Sequence, residues 1–278
     1  VIDAHVYSLP RDLRDPAAAL PDEDRTLREA LHLHPEGPQA LALSAPERIL
    51  ESMAEADIAV SVLVALPWSD PGLRRRNNDH VLEWAARTPA FHAVCAVRPG
   101  RPGWEAEAEA ALDAGALGLK INPAWQGFAL DGPESLSLAE LVRERDAFLM
   151  THVDHPFRHS AASPAALCAL ARQRPGTRIL AAHLGGMVGL YTLHPPVAAD
   201  LAHVWYDTAA SGTLLMVRLL MEAGLGDRLV FGTDFPFNHS HSQAQPVRDL
   251  AALGLPAEGN RPLYEENFLR LAKAGGGR

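Results

Sequence analysis

The chain has only two cysteines in 278 residues, no basic run longer than Arg74, Arg75 and Arg76, and no apolar stretch approaching membrane length. Cys95 falls in a strand-like run and Cys168 in a distant helix-like one. They read as packing thiols in a reducing compartment, not as a disulfide framework. With no basic run and a net charge of −9, the sequence offers no footprint for a phosphate backbone, so nucleic acid is not an expected partner. Charge or proline interrupts every apolar stretch well short of the roughly 20 residues a membrane helix needs, and no basic segment leads into an apolar one near residue 1. The expected setting is the cytoplasm, away from membranes. Internal repeats are lacking too, and the one low-complexity piece is the tail at 275–278, expected to be disordered.

What is present is a hydrophobic content of 47%, enough to bury a large core, arranged in eight short β-branched and aliphatic runs. They lie near 1–6, 59–66, 90–97, 116–122, 147–152, 178–183, 203–208 and 228–233. Most gaps between them carry an amphipathic helical pattern, which is the signature of parallel strands joined by crossover helices. Ser44 followed by Pro46 and Glu47 predicts a capping box opening a helix that buries Ile49, Leu50 and Met53. Ser163 and Pro164 predict another, carrying Leu167 and Leu170 and ended by Pro175 and Gly176. Eight such units over residues 1–274 predict a single-domain (β/α)8 barrel, favoured by strand count over a doubly wound open sheet.

Four of the runs stop at a polar residue: His5, His152, His183 and Asp234. In a barrel all strand C-termini emerge at one face, so these four would converge there although they are far apart in sequence. One gap is unusually long. Residues 8–43 hold five prolines and a weak helical pattern around Arg25 to Leu33, which suggests a lid over the site or an interface with a second copy of the chain, as in a homodimer.

With these motifs in place the chain resembles the amidohydrolase superfamily, in the amidohydrolase-related branch that holds amino-carboxymuconate-semialdehyde decarboxylase, aromatic-acid decarboxylases, hydratases and pyrone-dicarboxylate lactonase. The resemblance runs along the whole chain. It is carried by Ile2-Asp3-Ala4-His5, Gly118-Leu119-Lys120-Ile121-Asn122-Pro123, Ala182-His183-Leu184-Gly185-Gly186, Tyr206-Asp207-Thr208-Ala209-Ala210-Ser211 and Phe231-Gly232-Thr233-Asp234-Phe235-Pro236. It implies one divalent metal ion, expected to be zinc, on His5, His152 and Asp234, a set of two imidazoles and a carboxylate that suits a catalytic ion.

The family opens Asp-x-His-x-His, and here the second histidine is replaced by Tyr7, a poor ligand at neutral pH. Period-two geometry still points Tyr7 to the same face as His5. His155 stands where relatives tend to carry Glu, and reads as a substitute ligand, a proton donor toward substrate, or a solvated loop histidine. Asp234 is the expected proton shuttle. His183 is expected to polarise the substrate or act in acid–base chemistry, with a metal contact also open to it. Gly185 and Gly186 would then let substrate approach the backbone.

Lys120 is an inward-facing lysine expected to pair with an aspartate or a substrate carboxylate. Some amidohydrolases carboxylate a strand-four lysine, but this branch generally does not. Arg98 is assigned to an acidic substrate, or else to a surface ion pair, and Asp207 to orienting a His or Lys. Trp68, Trp125 and Phe128 offer an apolar wall or packing under the loops. His32, His34, His239 and His241 are expected to be solvated.

The first functional expectation is metal-dependent hydrolysis of an ester, lactone or amide in a small, carboxylated molecule. A nonoxidative decarboxylase or hydratase on the same scaffold is the alternative, and a metal-independent lactonase a third reading strengthened by Tyr7.

Overall fold

In the computed structural model all eight expected strands are present, parallel and hydrogen-bonded in chain order. They are β1 (Ile2–Tyr7), β2 (Val60–Val64), β3 (Phe91–Ala96), β4 (Gly118–Ile121), β5 (Phe148–Thr151), β6 (Ile179–Ala181), β7 (Val204–Asp207) and β8 (Leu229–Val230). The structure describes residues 1–15, 21–24, 37–154, 160–209, 214–238 and 240–272. The expected tail at 275–278 lies outside them.

The circle closes where the chain following β8 meets β1. The Ala4 N–H donates to the Phe231 carbonyl at 3.0 Å, the Asp234 N–H to that of His5 at 2.9 Å, and the Tyr7 N–H to that of Phe235 at 2.8 Å. An open doubly wound sheet would leave β1 and β8 as edges, so the fold is a single (β/α)8 barrel. Asp3 reinforces the seam. Its carboxylate accepts from the Thr233 N–H at 3.0 Å, the Thr233 hydroxyl at 2.6 Å and Gln243 Nε2 at 2.8 Å. Burial nonetheless raises the Asp3 carboxyl to about 6 against those hydrogen bonds.

Side-chain alternation along the strands divides the core in two. Ile2, Val62, Val64, Val94, Phe148, Met150 and Leu180 belong to the cluster that fills the barrel. The alternate residues Leu63, Ala93, Leu119, Leu149 and Ile179 pack outward against helices such as Pro46–Ala56, Pro133–Glu144 and Pro164–Gln173. A register irregularity in β1 between Asp3 and Val6 lets Asp3 face Gln243, whose Nε2 also donates to Ser61 Oγ, while Tyr7 joins the interior cluster.

One expected cap forms and one does not. Ser163 Oγ accepts from the Ala166 N–H at 3.2 Å and opens the helix Pro164–Gln173. Helix Pro46–Ala56 instead starts after Ala45 with no side-chain cap, because Ser44 Oγ donates back to the Leu41 carbonyl at 2.7 Å, ending the helix Gly37–Leu43 before it. The described residues of the long segment after β1 pack against the barrel. Leu9, Leu13 and Leu41 enter the interior cluster, and the Asp24 carboxylate accepts the Ser69 N–H at 2.5 Å and the Asp70 N–H at 2.9 Å. This ties it to the loop leaving the C-terminal end of β2. The pattern at Arg25 to Leu33, with His32 and His34, lies outside the described residues. Cys95 and Cys168 are both free thiols.

Candidate active site at the barrel mouth

The ends of five strands bring the candidate residues together. His5 and Tyr7 come from β1, Lys120 from β4, His152 follows β5, His183 follows β6 and Asp234 follows β8. The rings of His5 and Tyr7 meet edge-on at 5.0 Å, those of His5 and His183 lie 5.7 Å apart, and those of His152 and His183 lie 4.8 Å apart. Trp125 stacks on His152 at 5.9 Å, so it forms part of the site. Trp68 is buried with its Nε1 donating to Asn77, and Phe128 packs on the outer core, so of the two readings packing describes both. His155 and His239 lie outside the described residues. His241 binds the Pro236 carbonyl through Nδ1 at 2.8 Å. Arg98 follows β3 and is half-buried.

Each histidine ring is fixed by a partner that can only accept. His5 Nδ1 faces Asp207 Oδ2 at 2.9 Å, His152 Nε2 faces Asp154 Oδ1 at 2.9 Å, and His183 Nδ1 faces the Ala209 carbonyl oxygen. Burial, the largest cause for each, lowers the imidazoles below their usual value, His183 to about 4, so at neutral pH each ring carries one proton. Those protons are committed to the three acceptors. The remaining nitrogens are bare lone pairs: His5 Nε2 lies 3.3 Å from Asp234 Oδ1, and His183 Nε2 lies 3.1 Å from His152 Nδ1. His5 Nε2 is buried with no hydrogen-bond partner.

Two acceptor-to-acceptor contacts in a buried site are repulsive unless a cation stands between them. Donors around a tetrahedral ion with bonds of about 2.0–2.1 Å lie roughly 3.3–3.4 Å apart, close to both spacings. Three imidazoles and a carboxylate therefore fit a divalent ion in their chemistry. Among the described residues no three His, Cys, Asp or Glu side chains already converge on one point, so an ion would draw the two pairs together.

Asp207 organises the rings from below. Besides His5 it accepts the His183 N–H at 2.7 Å and the Ala209 N–H at 3.2 Å. Burial works to raise its carboxyl, but His5, His183 and Lys120 hold it below the usual range. Asp207→Asn would present an amide N–H to His5 Nδ1 and disturb the tautomer that leaves Nε2 bare. Zinc affinity, measured by competition with a chelating dye, is expected to fall roughly 10–100-fold. Unchanged affinity would remove Asp207 from this role.

His183 stands in a left-handed turn. His183, Leu184, Gly185, Gly186 and Met187 all have φ between 53° and 68°, a conformation costing about 1–2 kcal/mol per non-glycine residue. Gly185 and Gly186 were expected to leave room for substrate, but protein fills it: a Cβ on Gly186 would lie 2.2 Å from the Asp154 carbonyl oxygen, and one on Gly185 2.9 Å from Tyr206. Gly186→Ala should cost roughly 2–4 kcal/mol of stability, from overpacking added to left-handed strain. Thermal unfolding would show this, and a wild-type Tm would contradict it.

Lys120 is fully buried, and its Nζ has no hydrogen-bond partner, lying 6.0 Å from the centre of the Tyr7 ring. Burial lowers its ammonium to about 8, opposed by the charges of Asp207 and Asp234. Burial, with the same two carboxylates, also holds the Tyr7 phenol well above 10. Asp154 is the site residue that sequence reasoning missed. Its signal was its place two residues beyond His152, on the same side of an extended segment.

A family model described as amidohydrolase matches residues 2–271. The chain belongs to the amidohydrolase family. No curated protein sequence matches this amidohydrolase. Among solved structures it is similar to 5-carboxyvanillate decarboxylase from Novosphingobium aromaticivorans, complexed with manganese and 4-hydroxy-3-methoxy-5-nitrobenzoic acid. That likeness has a TM-score of 0.76 and 19% identity over 98% of this chain and 96% of that one.

The corresponding enzyme of Sphingomonas paucimobilis gives a TM-score of 0.76 at 15% identity, covering 98% of both chains. A dihydroxybenzoic acid decarboxylase from a Polaromonas species, with manganese and 2-nitroresorcinol, gives 0.70 at 17%, covering 98% and 96%. At these identities the likeness shows the fold. It also corrects the first functional expectation: these neighbours of the amidohydrolase are decarboxylases that break a carbon–carbon bond, not hydrolases of an ester, lactone or amide. No described helix of this amidohydrolase is long and apolar enough to cross a membrane.

Proposed function

We propose that this amidohydrolase is a metal-dependent nonoxidative decarboxylase of a small, planar hydroxy acid, such as a hydroxylated benzoate. The observation that carries this reading is the buried, unpartnered Lys120 ammonium beside two pairs of bare donor atoms. A carboxylated substrate supplies the missing anion, and the stacked Trp125 and His152 rings suit a flat one. The activities of the structural neighbours support decarboxylation among the reactions the scaffold can carry.

A divalent ion would be held by His5, His152 and Asp234 and would supply positive charge beside the substrate's oxygens; manganese in the neighbours makes it a candidate alongside zinc. Lys120 orients the carboxylate, and Tyr7, packed on His5 and on Phe237 at 5.5 Å, walls the same side. Arg98, at the end of β3, is assigned to a second acidic group of the substrate. His183, neutral at pH 7, polarises the bound acid.

Asp234 carries the proton. It delivers that proton to the carboxylate-bearing carbon, which uses a ring π pair to form the new C–H bond. The C–C bond then breaks, its pair restores the ring, carbon dioxide leaves, and solvent reprotonates Asp234. The net change is one acid anion and one proton to arene and carbon dioxide.

Manganese- or zinc-loaded protein incubated with a panel of hydroxybenzoates should release carbon dioxide and the matching arene, read by chromatography. In deuterated water the arene should carry one deuterium at the former carboxylate carbon. Protein shown to hold metal that releases carbon dioxide from no member of the panel would overturn the reading.

A further inference from the structure

Tyr7 ends β1 at the barrel mouth, 6% exposed, and its hydroxyl makes no hydrogen bond among the described residues. Unlike the hydroxyl of Tyr206, it is not sealed from solvent, so a ligand can reach it. Lys120 Nζ, fully buried and equally without a hydrogen-bond partner, lies 6.0 Å from the centre of the Tyr7 ring. Two unused donors, one charged and one neutral, stand on one side of the site. We propose that Tyr7 is a specificity-determining residue, whose hydroxyl donates to a substrate hydroxyl oxygen next to the carboxylate held by Lys120. This rests on the carboxylated-substrate reading above and names the second group that the site recognises.

Charge assigns the two donors. A carboxylate gains most from the ammonium, because a hydrogen bond between ions is roughly twice as strong as a neutral one. A hydroxyl on the neighbouring carbon turns its own proton toward the carboxylate and keeps a lone pair facing away from it. A neutral phenol, protonated at any pH well below its ordinary value near 10, is a donor suited to that lone pair. Each hydrogen bond adds about 2.7–2.9 Å, so two of them on adjacent oxygens span the gap between the ammonium and the phenol.

The backbone around Tyr7 is fixed on both sides. Its N–H donates to the Phe235 carbonyl at 2.8 Å. The next residue, Ser8, accepts Asn77 Nδ2 on its carbonyl at 2.8 Å and donates its hydroxyl to the Ser44 carbonyl at 3.2 Å, with His80 Nε2 3.0 Å from the same hydroxyl. The Tyr7 ring is wedged edge-on between His5 at 5.0 Å and Phe237 at 5.5 Å. A donor held this way does not turn to find another partner, so an acid lacking the oxygen leaves it unpaired. Sites of that kind discriminate against analogues that lack the group they were built to bind.

The test is binding of 2-hydroxybenzoate and benzoate, measured by titration calorimetry on zinc-loaded protein and again after chelation. The wild type should hold 2-hydroxybenzoate roughly 10–100-fold more tightly than benzoate in both states, the usual cost of an unpaired buried donor. Tyr7→Phe removes the hydroxyl and keeps the ring. It should bring the two acids close to parity by weakening 2-hydroxybenzoate alone.

No preference in the wild type, no binding of either acid, or a preference that survives in Tyr7→Phe would overturn the assignment. So would a preference lost on chelation, which would give the hydroxyl to the metal, or an equal loss for both acids, which would put Tyr7 on the carboxylate. If Tyr7→Phe fails to fold, the wild type decides: it should bind 2-methoxybenzoate, which keeps the acceptor oxygen, more tightly than 2-ethylbenzoate of similar size, and equal binding would refute the donor. Carbon dioxide release is a separate measurement. Acids bound with this preference but never decarboxylated would refute the reaction and leave the role of Tyr7 standing, and decarboxylation without the preference would do the reverse.

Discussion

Lys120→Met is expected to melt at a higher temperature than the wild type and to turn over almost no substrate. The ammonium is fully buried without a hydrogen-bond partner, and burial lowers it from 10.5 to about 8. A shift of that size corresponds to a destabilisation on the order of 3 kcal/mol when the group is charged. Below pH 8 the lysine is protonated in folded and unfolded chains alike, and the full cost is present. Between about 8 and 10.5 the folded protein has shed the proton and the unfolded chain has not, so stability rises with pH; above that range the cost is gone.

The margin of Lys120→Met over wild type should therefore be about 5–10 °C in Tm at pH 7 and close as the pH rises toward 10.5. Removing the ammonium that orients a bound carboxylate should meanwhile lower kcat/KM by about two to three orders of magnitude. Calorimetry across pH checks the first half and carbon dioxide release the second. A variant that melts lower than wild type would refute the buried-charge cost, and one that keeps its turnover would remove Lys120 from the substrate.

Asp234→Asn should abolish activity while leaving the barrel intact. Asp234 has φ 62°, a left-handed conformation that asparagine adopts more readily than most residues, so the substitution adds little strain. Its backbone N–H still donates to the His5 carbonyl at the seam, at 2.9 Å. What disappears is the proposed proton carrier and an anionic donor 3.3 Å from His5 Nε2. Turnover should fall by about 10²–10⁴, the usual worth of a positioned acid or base, and zinc affinity should fall with it. A dye-competition titration and a melting curve on one sample separate these effects. Substantial residual turnover would mean that another group carries the proton.

The eight strands were legible because each is a short aliphatic run with turn signals at both ends, and burial on both faces of a parallel barrel requires that pattern. His5, His152, His183 and Asp234 were legible because an apolar run that stops at a titratable residue has few structural reasons to do so. Asp154 was not, since an aspartate in a loop is ordinary until the ring it holds is seen beside it. Gly185 and Gly186 were misread for a related reason: a glycine pair announces a close approach but does not say what approaches, and here it is the Asp154 carbonyl and the Tyr206 ring. Ser44 misled because a serine three residues before a glutamate satisfies the capping pattern, while the helix ending at Leu43 competes for the same hydroxyl. The chemistry lay beyond the residues altogether, because one set of imidazoles and carboxylates can serve hydrolysis or decarboxylation.

The seam between β1 and β8 has a consequence for how the chain is made. Asp3 and Thr233 are 230 positions apart. During synthesis β1 emerges long before the segment that will pair with it, and at about 5–20 residues per second the wait is on the order of 10–45 seconds. Through that interval its strand edge is open, and so are its apolar side chains Ile2, Ala4 and Val6, which is the condition under which nascent chains bind chaperones or each other. His5 and Asp234 face each other only after the ring shuts, so the donor pair that would receive the ion is among the last parts of the molecule to exist.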